Sequence, residues 1–180
     1  MHIKLLKKYY FIDKFTKSNI DLQDQNTTII YRNYKKNYNI NEILSLKYYC
    51  KKKSLRFLLS NNIKLSIKLN LDGAYIPSFN KSFKHLSYKF KTDFILIGSA
   101  HNLKEIRIKE KQTVSEIFIS SIFKKNKNYL GISKFKQISK YSSKRVVALG
   151  GISESNLNLV KLTNAIGFAG ISYFLKKKGP

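Results

Sequence analysis

Two adjacent glycines, Gly150 and Gly151, end the apolar run that starts at Arg145, and Ser153 behind them can open a helix. A glycine pair at a strand end lets the backbone approach an anion, with N–H groups that no Cβ shields. A helix N-terminus just behind adds partial positive charge. Further on, Gly167-Phe168-Ala169-Gly170-Ile171-Ser172 offers the Ile171 and Ser172 amides to the same anion. Gly150, Gly151, Ile171 and Ser172 are therefore read as a phosphate-binding set. The plainer alternative is that the glycines only make tight turns. Lys125 and Lys127, in the stretch Lys124-Lys125-Asn126-Lys127-Asn128, are cations that could neutralise more phosphate charge. His101 follows the apolar run Phe94–Ala100, and an imidazole there could act as acid and base near neutral pH, or only cap or pack. Cys50 is the single cysteine, which excludes an intrachain disulfide and a Cys-based metal cluster. It reads as a buried helix residue rather than a nucleophile. His2 and His85 read as surface residues, and Asp72 as a turn holder.

These residues need a frame, and the pattern supplies one. Strands are expected at Tyr9–Asp13, Thr28–Asn33, Arg56–Asn61, Gly73–Ser78, Phe94–Ala100, Val114–Phe123, Arg145–Ile152 and Gly167–Phe174. Several are continuously apolar, as strands covered on both faces are. Helices are expected between them at Asn41–Ser54, Ile63–Asn70, Lys81–Phe90, Asn102–Lys111, Ser133–Tyr141 and Ser153–Thr163, with Asn41 and Ser153 as N-caps. Repeated strand–helix alternation predicts a parallel sheet, and this many strands predict closure into a (β/α)8 TIM-type barrel spanning residues 1–180 as one domain. The barrel is shortened: little room is left for a first helix, and no final helix is expected after the last strand. The missing helix predicts apolar surface covered by a second copy, a homo-oligomer.

Lys and Arg total 35 against 10 Asp and Glu, a formal charge of +25. Such a balance suits a polyanion partner. Arginine, however, occurs only at 32, 56, 107 and 145, and the lysines are spread along the chain. Base and RNA recognition lean on arginine forks. Lys, Asn, Ile and Tyr all have AT-rich codons, so coding bias explains the pattern, and no specific nucleic-acid partner is expected. No apolar run is long enough to cross a bilayer. The N-terminus lacks the continuous apolar segment of a signal peptide, so a cytoplasmic protein is expected.

From about Thr28 to Phe174 the chain resembles the thiamine phosphate synthases and the related TenI-type thiazole tautomerases. The resemblance is carried by Ala148-Leu149-Gly150-Gly151-Ile152, Gly167–Ser172, Leu71-Asp72-Gly73-Ala74-Tyr75-Ile76-Pro77, Leu58-Leu59-Ser60-Asn61-Asn62, Ser99-Ala100-His101-Asn102-Leu103-Lys104-Glu105 and Tyr31-Arg32. It implies joining of a hydroxymethylpyrimidine diphosphate to a thiazole phosphate, with release of pyrophosphate. The partners it implies are those two phosphorylated small molecules. It assigns Arg32 and Asn61 to substrate binding and Ser99 and His101 to the catalytic set. It also implies Mg²⁺, normally held by two aspartates that here read Asn61 and Asn80, and no metal ligands are assigned in this chain. A TenI-like tautomerase using His101, or a non-catalytic binder of thiazole or thiamine phosphate, is the alternative those replacements leave open.

Overall fold

The computed structural model of the protein describes residues 6–34 and 38–175. The first five residues, on which part of the leader reading rests, lie outside that range, as do the last five. Eight strands close a barrel in chain order: β1 (Lys7–Ile12), β2 (Thr27–Tyr31), β3 (Arg56–Ser60), β4 (Gly73–Ile76), β5 (Ile95–Ala100), β6 (Glu116–Ser120), β7 (Arg145–Leu149) and β8 (Gly167–Gly170). Every neighbouring pair is parallel, and β8 closes on β1 through Tyr9↔Ala169 and its register mates.

The continuous apolar runs have the expected cause. Tyr9, Phe11, Ile30, Leu58, Tyr75, Ile97, Phe118, Val147 and Ala169 fill the barrel interior. Their chain neighbours, such as Tyr10, Ile29, Tyr31, Phe57 and Leu59, pack outward under the helices. A side-chain period of two with both faces buried leaves no polar position to alternate with. At the amino ends of the strands the buried Glu116 carboxylate is held by Lys7 at 2.6 Å and Arg145 at 3.0 Å, and it accepts the Tyr9 phenol hydrogen bond. The Tyr9 phenol is pushed far up, by burial first and by the Glu116 charge second. This pole therefore acts as an ionic plug.

The helices are α1 (Lys17–Asp21), α2 (Ile40–Lys52), α3 (Ile63–Lys68), α4 (Leu103–Lys111), α5 (Gly131–Ser139), α6 (Leu157–Lys161) and α7 (Ser172–Leu175). The α2 cap is Asn39, not Asn41: its side chain accepts from the Asn41 and Glu42 N–H groups. At Ser153 a reciprocal cap forms, with the Ser153 N–H donating to Asn156 Oδ1 at 2.9 Å. The expected eighth strand stops at Gly170, and α7 turns Phe174 back onto the outer face of β1 and β8. Phe174 stacks on Tyr10 and Phe168 at centroid distances of 5.0 and 5.8 Å, so one helical turn covers part of the surface a full final helix would have covered.

The helix expected at Lys81–Phe90 is reduced to a 3-10 turn at Lys84–Ser87. The cause is tertiary. The Pro77 and Asn80 carbonyls are taken by Lys109 Nζ, and the Asn80 and Ser82 carbonyls by Gln112 Nε2. These bonds tether the backbone at Pro77, Asn80 and Ser82 to Lys109 and Gln112 and so set the path of this segment. His85 belongs to the same cluster. It is 3% exposed with Nε2 at 2.9 Å from the Gln112 carbonyl, so the expected surface histidine is a core one.

Candidate active site

A cleft of about 540 Å³ opens at the carboxyl ends of β6, β7 and β8, and Arg32, Lys124, Gly150, Gly151, Ile171 and Ser172 are among its lining residues. Gly150 and Gly151 have φ of 103° and 74°. A Cβ on Gly150 would lie 2.4 Å from Ser121 Oγ, and one on Gly151 would lie 2.5 Å from the Lys124 backbone nitrogen. Both conformation and space therefore require glycine here. The contact is made because the loop after β6 is stitched to the turn. The Phe123 and Lys124 N–H groups donate to the Gly150 carbonyl at 2.9 and 3.2 Å. That stitching brings Lys124 to the rim. Arg32 faces it from the end of β2, with its guanidinium stacked on Phe11 at 4.7 Å and its own N–H donating to the Ile12 carbonyl at 2.7 Å. Two cations, Lys124 and Arg32, and exposed glycine amides, with no carboxylate among the described lining residues, give the cleft chemistry that can receive an anion.

Lys125 and Lys127 are exposed on the same loop but do not line the cleft, whereas Lys124 and Asn126 do. A loop has no period from which facing could have been read. Ser120 and Ser121 at the end of β6 are also lining residues that sequence reasoning did not select. His101 and Ser99 lie elsewhere at the mouth. Ser99 is 4% exposed, with its hydroxyl accepting from the Tyr75 phenol at 2.7 Å inside the barrel. Glu105 Oε2 is 2.8 Å from the His101 N–H and 2.9 Å from its Nδ1, and Asn102 caps the same turn of α4. With Nδ1 donating to the carboxylate, Nε2 is the nitrogen left for proton exchange.

Asn61 and Asn80 meet across the mouth. Asn80 Nδ2 donates to Asn61 Oδ1 at 2.7 Å, and Asn80 Oδ1 accepts from the Ser82 N–H at 2.9 Å. Asn61 sits at φ 60°, a left-handed conformation that Asn tolerates. Beside it, the Tyr34 hydroxyl and Ser60 Oγ are 2.8 Å apart.

Residues 18–174 match the family described as thiamine monophosphate synthase. The chain belongs to that family. A relative from Aquifex aeolicus is 30% identical over 131 residues, which cover 70% of this chain and 69% of its own length. The thiamine-phosphate synthase of Methanococcus vannielii is 25% identical over 64% of this chain, a stretch that spans only 58% of the relative. The thiamine phosphate pyrophosphorylase of Pyrococcus furiosus superposes with a TM-score of 0.75 at 22% identity, covering 93% of this chain and 86% of that one, and shares its fold.

The thiamine monophosphate synthase family generally depends on Mg²⁺. Magnesium demands hard, preferably charged oxygen ligands in near-octahedral array. The residues at the expected position do not fit it. Both are uncharged, and both side-chain carbonyl oxygens already accept hydrogen bonds. Among the described residues no group of three or more His, Cys, Asp and Glu side chains could hold a metal.

Cys50, fully buried on α2, takes no part in the site. Burial pushes its thiol up to about 12, with the Asp72 charge adding to the effect. Asp72 itself accepts from the Phe57 N–H at 2.8 Å and pins the start of β4 to β3. At pH 8 the folded protein is expected to resist alkylation by iodoacetamide and to be labelled once in denaturant, scored by intact mass. Labelling of the native protein within minutes would contradict this placement.

Proposed function

We propose that the protein is a thiamine-phosphate synthase that joins a hydroxymethylpyrimidine diphosphate to a thiazole phosphate. The reading rests on family membership together with one observation: the glycine cradle at the ends of β7 and β8, flanked by Lys124 and Arg32, lies where barrel enzymes bind phosphate. The thiazole phosphate anchors there through the Gly151, Ile171 and Ser172 amides and the Lys124 ammonium. The thiazole nitrogen then forms its bond to the pyrimidine methylene carbon as the bond from that carbon to pyrophosphate breaks. The protein's part is positioning and charge: it holds two anionic substrates in line and offers cations to the departing oxygens. His101, oriented by Glu105, supplies a group able to hold or release a proton at the mouth.

The test is a coupled assay that scores thiamine phosphate from the two substrates. Product above the uncatalysed rate supports the reading. No product with retained binding of thiazole phosphate would leave a binder and overturn it. In the same assay Lys124→Ala is expected to raise the KM for thiazole phosphate about tenfold, whereas Lys125→Ala and Lys127→Ala change it less than about twofold.

A further inference from the structure

A carboxylate pair only accepts hydrogen bonds, so it engages a phosphate through an intervening cation. Asn61 and Asn80 have the opposite polarity. Each carbonyl oxygen already accepts one hydrogen bond, Asn61 Oδ1 from the Asn80 amide and Asn80 Oδ1 from the Ser82 N–H. Asn61 Nδ2 is in no hydrogen bond among the described residues, and Asn80 Nδ2 uses one of its two hydrogens, so the half-buried pair has N–H donors to offer that a carboxylate pair lacks. Beneath it stands a cation. Lys109 Nζ, at the end of α4, donates to the Pro77 carbonyl at 2.9 Å, the Asn80 carbonyl at 2.8 Å and Gln112 Oε1 at 2.9 Å. The ammonium therefore sits one carbonyl away from the amide pair. The ammonium favours an anion over a dication, against the Glu105 charge that also acts on it.

We propose that Asn61 and Asn80, braced by Lys109, form a metal-free anion subsite that takes the terminal oxygens of a diphosphate directly. This deepens the synthase reading, because a diphosphate is one of the two substrates it requires. The arrangement makes Asn61 a direct ligand. It makes Lys109 a positioning residue, which holds the Asn80 loop so that the two amides meet.

The test reads binding, not turnover, so it stands apart from the synthase assay. Inorganic pyrophosphate is titrated calorimetrically into the protein in EDTA, and Mn²⁺ alone is titrated with the free ion followed by electron paramagnetic resonance. The unsubstituted protein is expected to bind pyrophosphate in EDTA and to leave Mn²⁺ free up to about 1 mM. In the double variant Asn61→Asp/Asn80→Asp, pyrophosphate affinity in EDTA is expected to fall at least about tenfold while Mn²⁺ binding appears. Asn61→Gly, which removes the donors without adding charge and keeps the left-handed backbone unstrained, is expected to weaken pyrophosphate by about tenfold and covers the case in which the double variant does not fold. Stoichiometric Mn²⁺ binding by the unsubstituted protein, pyrophosphate binding only with Mg²⁺ present, or an unchanged affinity in Asn61→Gly would each overturn the proposal.

Discussion

Gly151→Asp is expected to abolish binding of the phosphorylated thiazole, with affinity falling at least about a hundredfold. Two separate effects combine. The backbone at φ 74° costs a side-chain-bearing residue about 1–2 kcal/mol. The new Cβ would meet the Lys124 backbone nitrogen at 2.5 Å, and this neighbour cannot swing away, because the Gly150 carbonyl holds its N–H. The turn must therefore open, which takes Lys124 off the rim. The carboxylate then places negative charge where the phosphate belongs. Gly151→Ala separates the two effects, since it carries the strain and the clash without the charge. The further loss from Ala to Asp is electrostatic and shrinks as salt is raised. Gly170→Ala is the control. It lines the same cleft, a Cβ there meets nothing within 4 Å, and affinity is expected to change less than about twofold. Calorimetry with thiazole phosphate, on variants shown by circular dichroism to be folded, decides the matter. Retained binding in folded Gly151→Asp would remove the glycine turn from the phosphate site.

The glycine turn could be found in the sequence because its signal is local: two glycines at a strand end demand a special backbone. The barrel was legible for a similar reason. Strands such as Phe57–Leu59 are buried on both faces, so each reads as an unbroken apolar run. Strand ends were overrun at β6 and β8, where apolar residues continue past the last paired position into packed loops. Ile122 and Phe174 are buried although neither is in the sheet. The helix expected at Lys81–Phe90 failed because what decides its fate lies on α4 and just past it, in Lys109 and Gln112. The same distance in sequence hid the meeting of Asn61 and Asn80. Each could be named as a departure from a family pattern, but the bond between them closes only when β3 and β4 lie side by side.

Lys109 shows how far one lysine can differ from the rest, and Lys109→Met is expected to lower stability by about 3 kcal/mol. Its side chain is wholly buried, yet each ammonium hydrogen has an acceptor, which is the condition under which a buried charge is tolerated. Methionine fills much of the volume, leaves Gln112 Oε1 without its donor and leaves the Pro77 carbonyl with only the Asn80 N–H at 3.1 Å. For a chain of this size about 3 kcal/mol corresponds to a melting-temperature drop of roughly 6–12 °C. Lys111→Met, two residues on and exposed, is expected to cost less than about 0.5 kcal/mol. A pH dependence distinguishes lost charge from lost packing. Burial draws the Lys109 ammonium down to about 8 from 10.5, with Glu105 opposing. Between those values the unfolded chain binds the proton that the folded one has released, so this group makes stability rise with pH. The gap between the unsubstituted protein and Lys109→Met is therefore expected to widen from pH 8 towards 10.5, read as the difference between their urea midpoints. A gap that is constant across that window would mean Lys109 contributes packing alone, and that the loop carrying Asn80 is held by Gln112 without it.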